Sequence, residues 1–157
     1  MKILPYLFSL VILSVFGQTP NAPAKDLSCQ KTDAEWKAQL NENTYYVLRE
    51  SGTERPFSGK YNKHYEEGVY KCAGCDAPLY KSDHKYNSGS GWPAFDRAVD
   101  GAVSYKKDNK LGYTRVELTC SSCDGHLGHM FEDGPLQTTG KRHCVNSIAL
   151  SFTSENE

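Results

Sequence analysis

The sequence predicts a mostly β (α+β) domain of antiparallel hairpins, with helix confined to a short N-terminal region. Three observations carry this. Short strand-like runs separated by Gly, Pro, Asn and Asp turn signals fill the second half of the chain. Two Cys-x-x-Cys pairs, Cys72/Cys75 and Cys120/Cys123, sit between such runs as tight turns. The strongest helix-start signature, Thr32 with Glu35 three residues on, lies near the beginning.

Taken in order, residues 1–24 have the layout of a secretory signal peptide: Lys2, an apolar run from Ile3 to Phe16, then a small, polar, Pro-containing stretch. The run is too short for a comfortable membrane span. Cleavage after Gly17 or after Ala24 is expected, with an uncleaved anchor as the alternative. Residues 25–157 are enough for one compact domain with its own core. "KTDAEWKAQL" should start a helix near Asp33, with Trp36 and Leu40 on one face. Through "NENTYYVLRESGTERPFSG" the signal weakens, and Gly52, Pro56 and Gly59 break it into turns. "GVYKCAGCDAPLYKS" reads as strand, knuckle turn, strand. "AVSYKKDNKLGYTRVELTC" reads as a hairpin whose tip holds Lys106, Lys107 and Lys110 in solvent; in its second arm Thr114, Val116 and Leu118 alternate with Tyr113, Arg115 and Glu117. "HCVNSIALSF" reads as one strand, with Cys144, Asn146, Ile148, Leu150 and Phe152 on one face and His143 pointing outward on the other.

The formal net charge of −1 argues against nucleic acid as a partner, and no block of like charge suggests a membrane-binding face. Of the six cysteines, Cys72, Cys75, Cys120 and Cys123 form a ligand set for structural zinc, since each Cys-x-x-Cys turn presents two sulfurs without strain. The competing reading is redox, as disulfides or as a thioredoxin-like pair, but neither pair precedes a helix in a βαβ unit. That leaves Cys29 and Cys144. Arg142 shares the face of Cys144, and a nearby cation lowers a thiol pKa. His126 and His129 fall three apart in a Gly-rich loop directly after Cys123, which a zinc clip would hold rigid, and a thiol with fixed imidazoles outlines nucleophilic catalysis. The alternatives are a buried inert thiol and histidines that are metal ligands or plain loop residues. In "NSGSGWPAF" the glycines around Ser90 present the Trp92 indole, either as an aromatic wall for a sulfur-bearing group or as a core plug beside Phe95.

"GTERPFSGKY", "GVYKCAGCDAPLY", "SGSGWPAFD", "CSSCDGHLGHMFEDGP" and "GKRHCVNSIALSF" resemble, in order and spacing, the B-type methionine sulfoxide reductases, which reduce the R epimer of methionine sulfoxide. The resemblance runs from about Trp36 to Phe152. It implies a β-tent of two antiparallel sheets with the four paired cysteines on zinc. It implies Cys144 as the nucleophile that becomes a sulfenic acid, and His126 and His129 as the imidazoles that orient the substrate and protonate its oxygen. Asn146 would be the amide that holds this arrangement, with Trp92 packing on the substrate methyl and Phe131 adding apolar wall. The implied partners are methionine-R-sulfoxide, free or in proteins, and a thioredoxin-like reductant, acting on an exported monomer with no stable membrane association once the signal is removed. Two positions depart from the family. His143 stands where an aromatic residue is usual, and Ser90 stands where two-cysteine members carry the resolving thiol. Cys29 is then the candidate resolving cysteine. Two rival classes stay open: a zinc-clipped module that only binds methionine-like side chains, and a thiol oxidoreductase working through its Cys-x-x-Cys pairs.

Overall fold

The computed structural model describes residues 29–155. The expected signal peptide, residues 1–24, lies outside the described residues. Among these, no helix is long and apolar enough to cross a membrane.

Helix α1 (Asp33–Gln39) starts where the capping box places it. The Thr32 hydroxyl accepts from the Glu35 amide, and the Glu35 carboxylate accepts from the Thr32 amide. Its buried residue is Trp36, 1 % exposed. A second helix, α2 (Glu42–Glu50), follows where the sequence suggested only turns. Asn41 caps it by accepting from the Thr44 amide at 2.9 Å, and Ser51 ends it in the left-handed conformation (φ 58°). The buried face is narrow: Thr44, Val47 and Leu48. That leaves little apolar periodicity to detect.

The strands form two antiparallel sheets, as the resemblance implies. β1 (Gly68–Cys72), β2 (Pro78–Lys81) and β9 (Leu150–Ser154) make a three-stranded sheet in the order β2-β1-β9. The other sheet has the order β3-β4-β8-β7-β6-β5, from β3 (Lys85–Tyr86), β4 (Ala94–Phe95), β5 (Val103–Asp108), β6 (Arg115–Cys120), β7 (His126–Phe131) and β8 (Arg142–Val145). Aromatic packing joins the two: Tyr80 of β2 stacks on Phe95 of β4 at 4.2 Å between ring centres, and Tyr70 of β1 meets Phe95 edge-on. The two expected hairpins are present as β1–β2 and β5–β6, but the His126–His129 segment, expected as a loop, is strand β7, paired on both sides.

Two further expectations change. "HCVNSIALSF" is not one strand: β8 ends at Val145, residues Ser147–Ala149 form a 3₁₀ turn, and β9 continues in the other sheet. The apolar alternation spans a change of sheet. The Glu54 carboxylate holds the turn by accepting from the amides of Ser147 and Ile148. His143 does lie on the face opposite Cys144, but that face is core. The imidazole is 1 % exposed, with Nδ1 3.3 Å from the Tyr80 hydroxyl and its ring against Tyr105.

Candidate active site and metal centre

The two Cys-x-x-Cys turns have matching local structure. In each, the residue after the second cysteine is left-handed (Asp76 φ 57°, Asp124 φ 59°) and its amide bonds back to the first cysteine's carbonyl at 2.9 Å. Leu48 packs against both: a Cβ added to Gly74 or to Gly125 would come within 3.1 Å of it. Arg49 donates to the Cys123 carbonyl and Gln39 to that of Gly74. The helices thus press the two turns together, and the four sulfurs lie within 4.8 Å of one another. Cys72–Cys123 and Cys75–Cys120 are each 3.7 Å apart. A tetrahedron with metal–sulfur bonds of about 2.3 Å has edges of about 3.8 Å. The cysteines therefore fit a four-coordinate metal that ties the β1–β2 turn to the β6–β7 turn.

The six-stranded sheet sets out the second site by register. Glu117 pairs with His129, His129 with Cys144, and Cys144 with Ala94, a row across β6, β7, β8 and β4. Cross-strand partners share a face. Cys144 therefore has an imidazole on one flank and the Trp92 loop on the other. The strands approach closely because residue 128 is glycine: a Cβ there would lie 2.0 Å from the Cys144 carbonyl oxygen. A pocket of about 160 Å³ opens over the thiol, lined by Trp92, Phe131, His129, Asn146, Arg115 and Thr53.

Cys144 is half-buried, and burial pushes its thiol above the usual range. Ser90 and Arg142 pull the other way; the Ser90 hydroxyl stands 3.8 Å from the sulfur. The Arg142 guanidinium lies 4.3 Å over the Phe131 ring and is forked onto Asp133 at 2.8 and 2.9 Å. The Asn146 amide bridges the Glu54 amide, through Oδ1, and the Leu127 carbonyl, through Nδ2. One Nδ2 hydrogen is left over.

Each histidine is backed by a carboxylate. His126 Nδ1 is 2.6 Å from Glu117, and His129 Nε2 is 2.9 Å from Asp108. An ionised carboxylate only accepts, so these nitrogens carry the protons. His126 Nε2 is buried with no partner among the described residues. Burial lowers the His126 pKa, opposed by Glu117. Asp108 is held well below the usual carboxylate range by the Lys110 amide and then by His129, and it also pairs with Arg115.

Cys144, His129, Asn146, Trp92 and Phe131 meet at one pocket, and His126 sits behind it, its ring centre 5.4 Å from that of His129. Trp92 is not a core plug: its ring lines the pocket while Nε1 donates to the Glu54 carbonyl at 3.2 Å. Cys29 does not line the pocket; it packs at the edge of the main core. Asp108, Arg115, Glu117 and Thr53 were missed. In the sequence Arg115 and Glu117 are polar positions alternating with apolar ones, which is the pattern of a solvent face as much as of a site. Asp108 falls within the expected solvated tip, yet it ends β5 and is 6 % exposed.

A SelR domain matches residues 40–154. The chain is 49 % identical over 124 residues to the peptide methionine sulfoxide reductase MsrB of Chromohalobacter salexigens, covering 78 % of this chain and 93 % of that one. The enzyme of that name from Thiobacillus denitrificans is 50 % identical over 78 % of this chain and 92 % of its own length. The peptide methionine sulfoxide reductase B5 of Arabidopsis thaliana is 48 % identical over 82 % and 92 %. A solved Mis18 "Yippee-like" domain is similar to 57 % of this chain, covering 97 % of its own, at 15 % identity and a TM-score of 0.46.

Proposed function

This chain belongs to the SelR domain family, and from that premise we propose that it reduces methionine-R-sulfoxide, free or in proteins, to methionine at Cys144. The supporting observation is the register that sets a thiol beside a carboxylate-backed imidazole under an aromatic wall. Trp92 and Phe131 take the substrate methyl, while the remaining Asn146 N–H and the histidines face the oxygen. In that pose the sulfoxide sulfur meets Sγ, and three fixed directions select one epimer.

The thiolate attacks the sulfoxide sulfur. As the S–O bond breaks, the oxygen must be protonated, because a bare oxide is a poor leaving group. A doubly protonated imidazole, charge-balanced by Glu117 or Asp108, supplies that proton. The oxygen leaves as water, giving an S–S-bonded sulfonium between Cys144 and the methionine; a water then attacks Sγ and breaks that S–S bond, so that Cys144 becomes a sulfenic acid and methionine departs, its sulfur having gained the two electrons that the cysteine sulfur lost. A thiol then condenses with the sulfenic acid, releasing water and leaving a mixed disulfide, and a second thiol frees Cys144. Ser90 has no thiol to offer. The reductant is a thioredoxin-like dithiol, acting directly or through Cys29.

Zinc is the metal we assign to the four-cysteine site, since four thiolates at these spacings suit its tetrahedral preference. With all four positions filled by protein, its role is to hold the fold rather than to do chemistry. Residues 1–24 direct export, and N-terminal sequencing of the protein recovered from its native host should begin at residue 18 or 25.

A single-turnover reaction with each epimer, without reductant, tests the reading. Methionine from the R epimer alone, and none with Cys144→Ser, is expected. Loss of two thiols in the wild type but one in Cys29→Ser would make Cys29 the resolving partner, whereas loss of one in both would leave the sulfenic acid to an external thiol. No methionine from either epimer would refute the activity.

A further inference from the structure

The motif "GTERPFSG" carries part of the family resemblance, yet Thr53 is its one side chain that lines the pocket. The residue after it, Glu54, is 8 % exposed, and its main-chain and side-chain polar groups are all engaged. Its carboxylate accepts from the amide of Ser147 at 2.6 Å and from that of Ile148 at 3.2 Å. These open the 3₁₀ turn that stops the nucleophile's strand. Its own amide donates to Asn146 Oδ1 at 3.1 Å, and its carbonyl accepts from Trp92 Nε1 at 3.2 Å.

A buried carboxylate is costly unless its oxygens are bonded, and here a backbone amide bonds each of them. A turn could be held by a neutral cap. What distinguishes this arrangement is that the Trp92 loop, the Asn146 amide and the Ser147–Ala149 turn all converge on one residue. The left-handed end of α2 at Ser51 delivers the segment, and the Glu54 backbone then grips the Trp92 indole and the Asn146 amide, both of which line the pocket over Cys144. Its carboxylate grips the turn directly after that amide. No side-chain atom of Glu54 lines the thiol pocket.

We propose that Glu54 is a positioning residue: by clamping Trp92, Asn146 and the Ser147–Ala149 turn together, it sets where the methyl wall and the oxygen-facing amide stand relative to Cys144 Sγ. This rests on the reductase reading. Glu54→Gln keeps the shape but offers one accepting oxygen, so its NH₂ group faces an amide N–H and one of the two turn bonds fails. The clamp loosens, and Trp92 and Asn146 drift from the productive geometry.

The test combines kinetics with the ¹H–¹⁵N resonances of the two indoles, Trp92 being assigned by its loss in Trp92→Phe. Trp36, the buried residue of α1, is the internal control. In Glu54→Gln, kcat/KM for the R epimer should fall about tenfold or more. The Trp92 indole resonance should shift while that of Trp36 and the metal content stay as in the wild type. An unmoved Trp92 resonance with kcat/KM within about twofold would overturn the proposal. Should Glu54→Gln not fold, Gly59→Ala decides on the same readouts. Its Cβ would come 2.3 Å from the Ser147 hydroxyl and 2.6 Å from the Glu54 carboxylate, straining the clamp without removing a bonding group. Collapse of both variants would make Glu54 a folding residue and overturn the proposal too. A shifted Trp92 resonance in a protein whose wild type forms no methionine would refute the reductase reading and leave the clamp intact.

Discussion

Glu117 keeps the proton of His126 on Nδ1, so the neutral ring presents only a lone pair at Nε2. To protonate a sulfoxide oxygen the ring must first take a second proton. Burial opposes that charge and Glu117 favours it. Glu117→Gln removes the favourable charge and leaves the burial. The imidazolium becomes rarer at neutral pH, and the single-turnover rate of methionine formation should fall by about ten- to a hundredfold. The sign of the pH effect follows from the same balance: with the histidine pKa lowered further, the alkaline limb of the rate profile moves to lower pH. Rapid-quench measurements between pH 5 and pH 9 read both quantities. An unchanged rate with an unchanged limb would assign the proton to the His129–Asp108 couple instead.

Among the elements, those legible in the sequence carry their signal locally. The capping box of α1 and the two knuckle turns are fixed by residues within a few positions of one another. What was not legible depends on distant partners. The 3₁₀ turn after Asn146 is held by Glu54, 93 and 94 positions away, so no local count of apolar residues separates β8 from β9. α2 owes its place largely to Leu48 packing against both knuckles. In the site, the nucleophile and the histidines were readable as residue types, whereas the carboxylates behind them needed the register of β6 against β7. The same dependence gives the knuckles a testable role. If metal ties the β1–β2 and β6–β7 turns, stripping it releases two sheets and the strand that carries His126 and His129. Binding of a structural zinc is worth about 10 kcal/mol or more, as much as a whole domain's stability. Treatment with a strong chelator should abolish the cooperative thermal transition, the near-UV circular dichroism and the activity together, and added zinc should restore all three. A chelated protein with an intact transition would reduce the cluster to ordinary packed thiols.

On the scale of the whole molecule, the two sheets meet at His143. It stands on β8 of the larger sheet, and its Nδ1 lies 3.3 Å from the hydroxyl of Tyr80 on β2 of the smaller one. Burial pushes its pKa down to about 4. The unfolded chain, with an ordinary histidine pKa of about 6.5, takes up the proton first. The contribution is therefore fully present above about pH 6.5 and is lost as the pH falls toward 4. At most it amounts to about 3 kcal/mol, the free-energy equivalent of that shift. His126 shifts in the same direction and the cysteine cluster also takes up protons in acid, so the wild-type slope alone does not isolate His143. The comparison with His143→Phe does, because every other group is common to both proteins. Phenylalanine leaves the Tyr80 hydroxyl without its partner, a pH-independent cost of about 1–3 kcal/mol that lowers the whole curve but not its slope. Urea unfolding at pH 7, 6, 5 and 4 should show the variant less stable at pH 7 and the two curves converging as acid is added. Because the imidazole is on the face of β8 away from Cys144, the variant should keep its turnover at pH 7. Parallel curves would mean that the His143 proton is not what acid uses to part the sheets. Convergence with full activity would show that β8 joins the sheets with one face and does chemistry with the other.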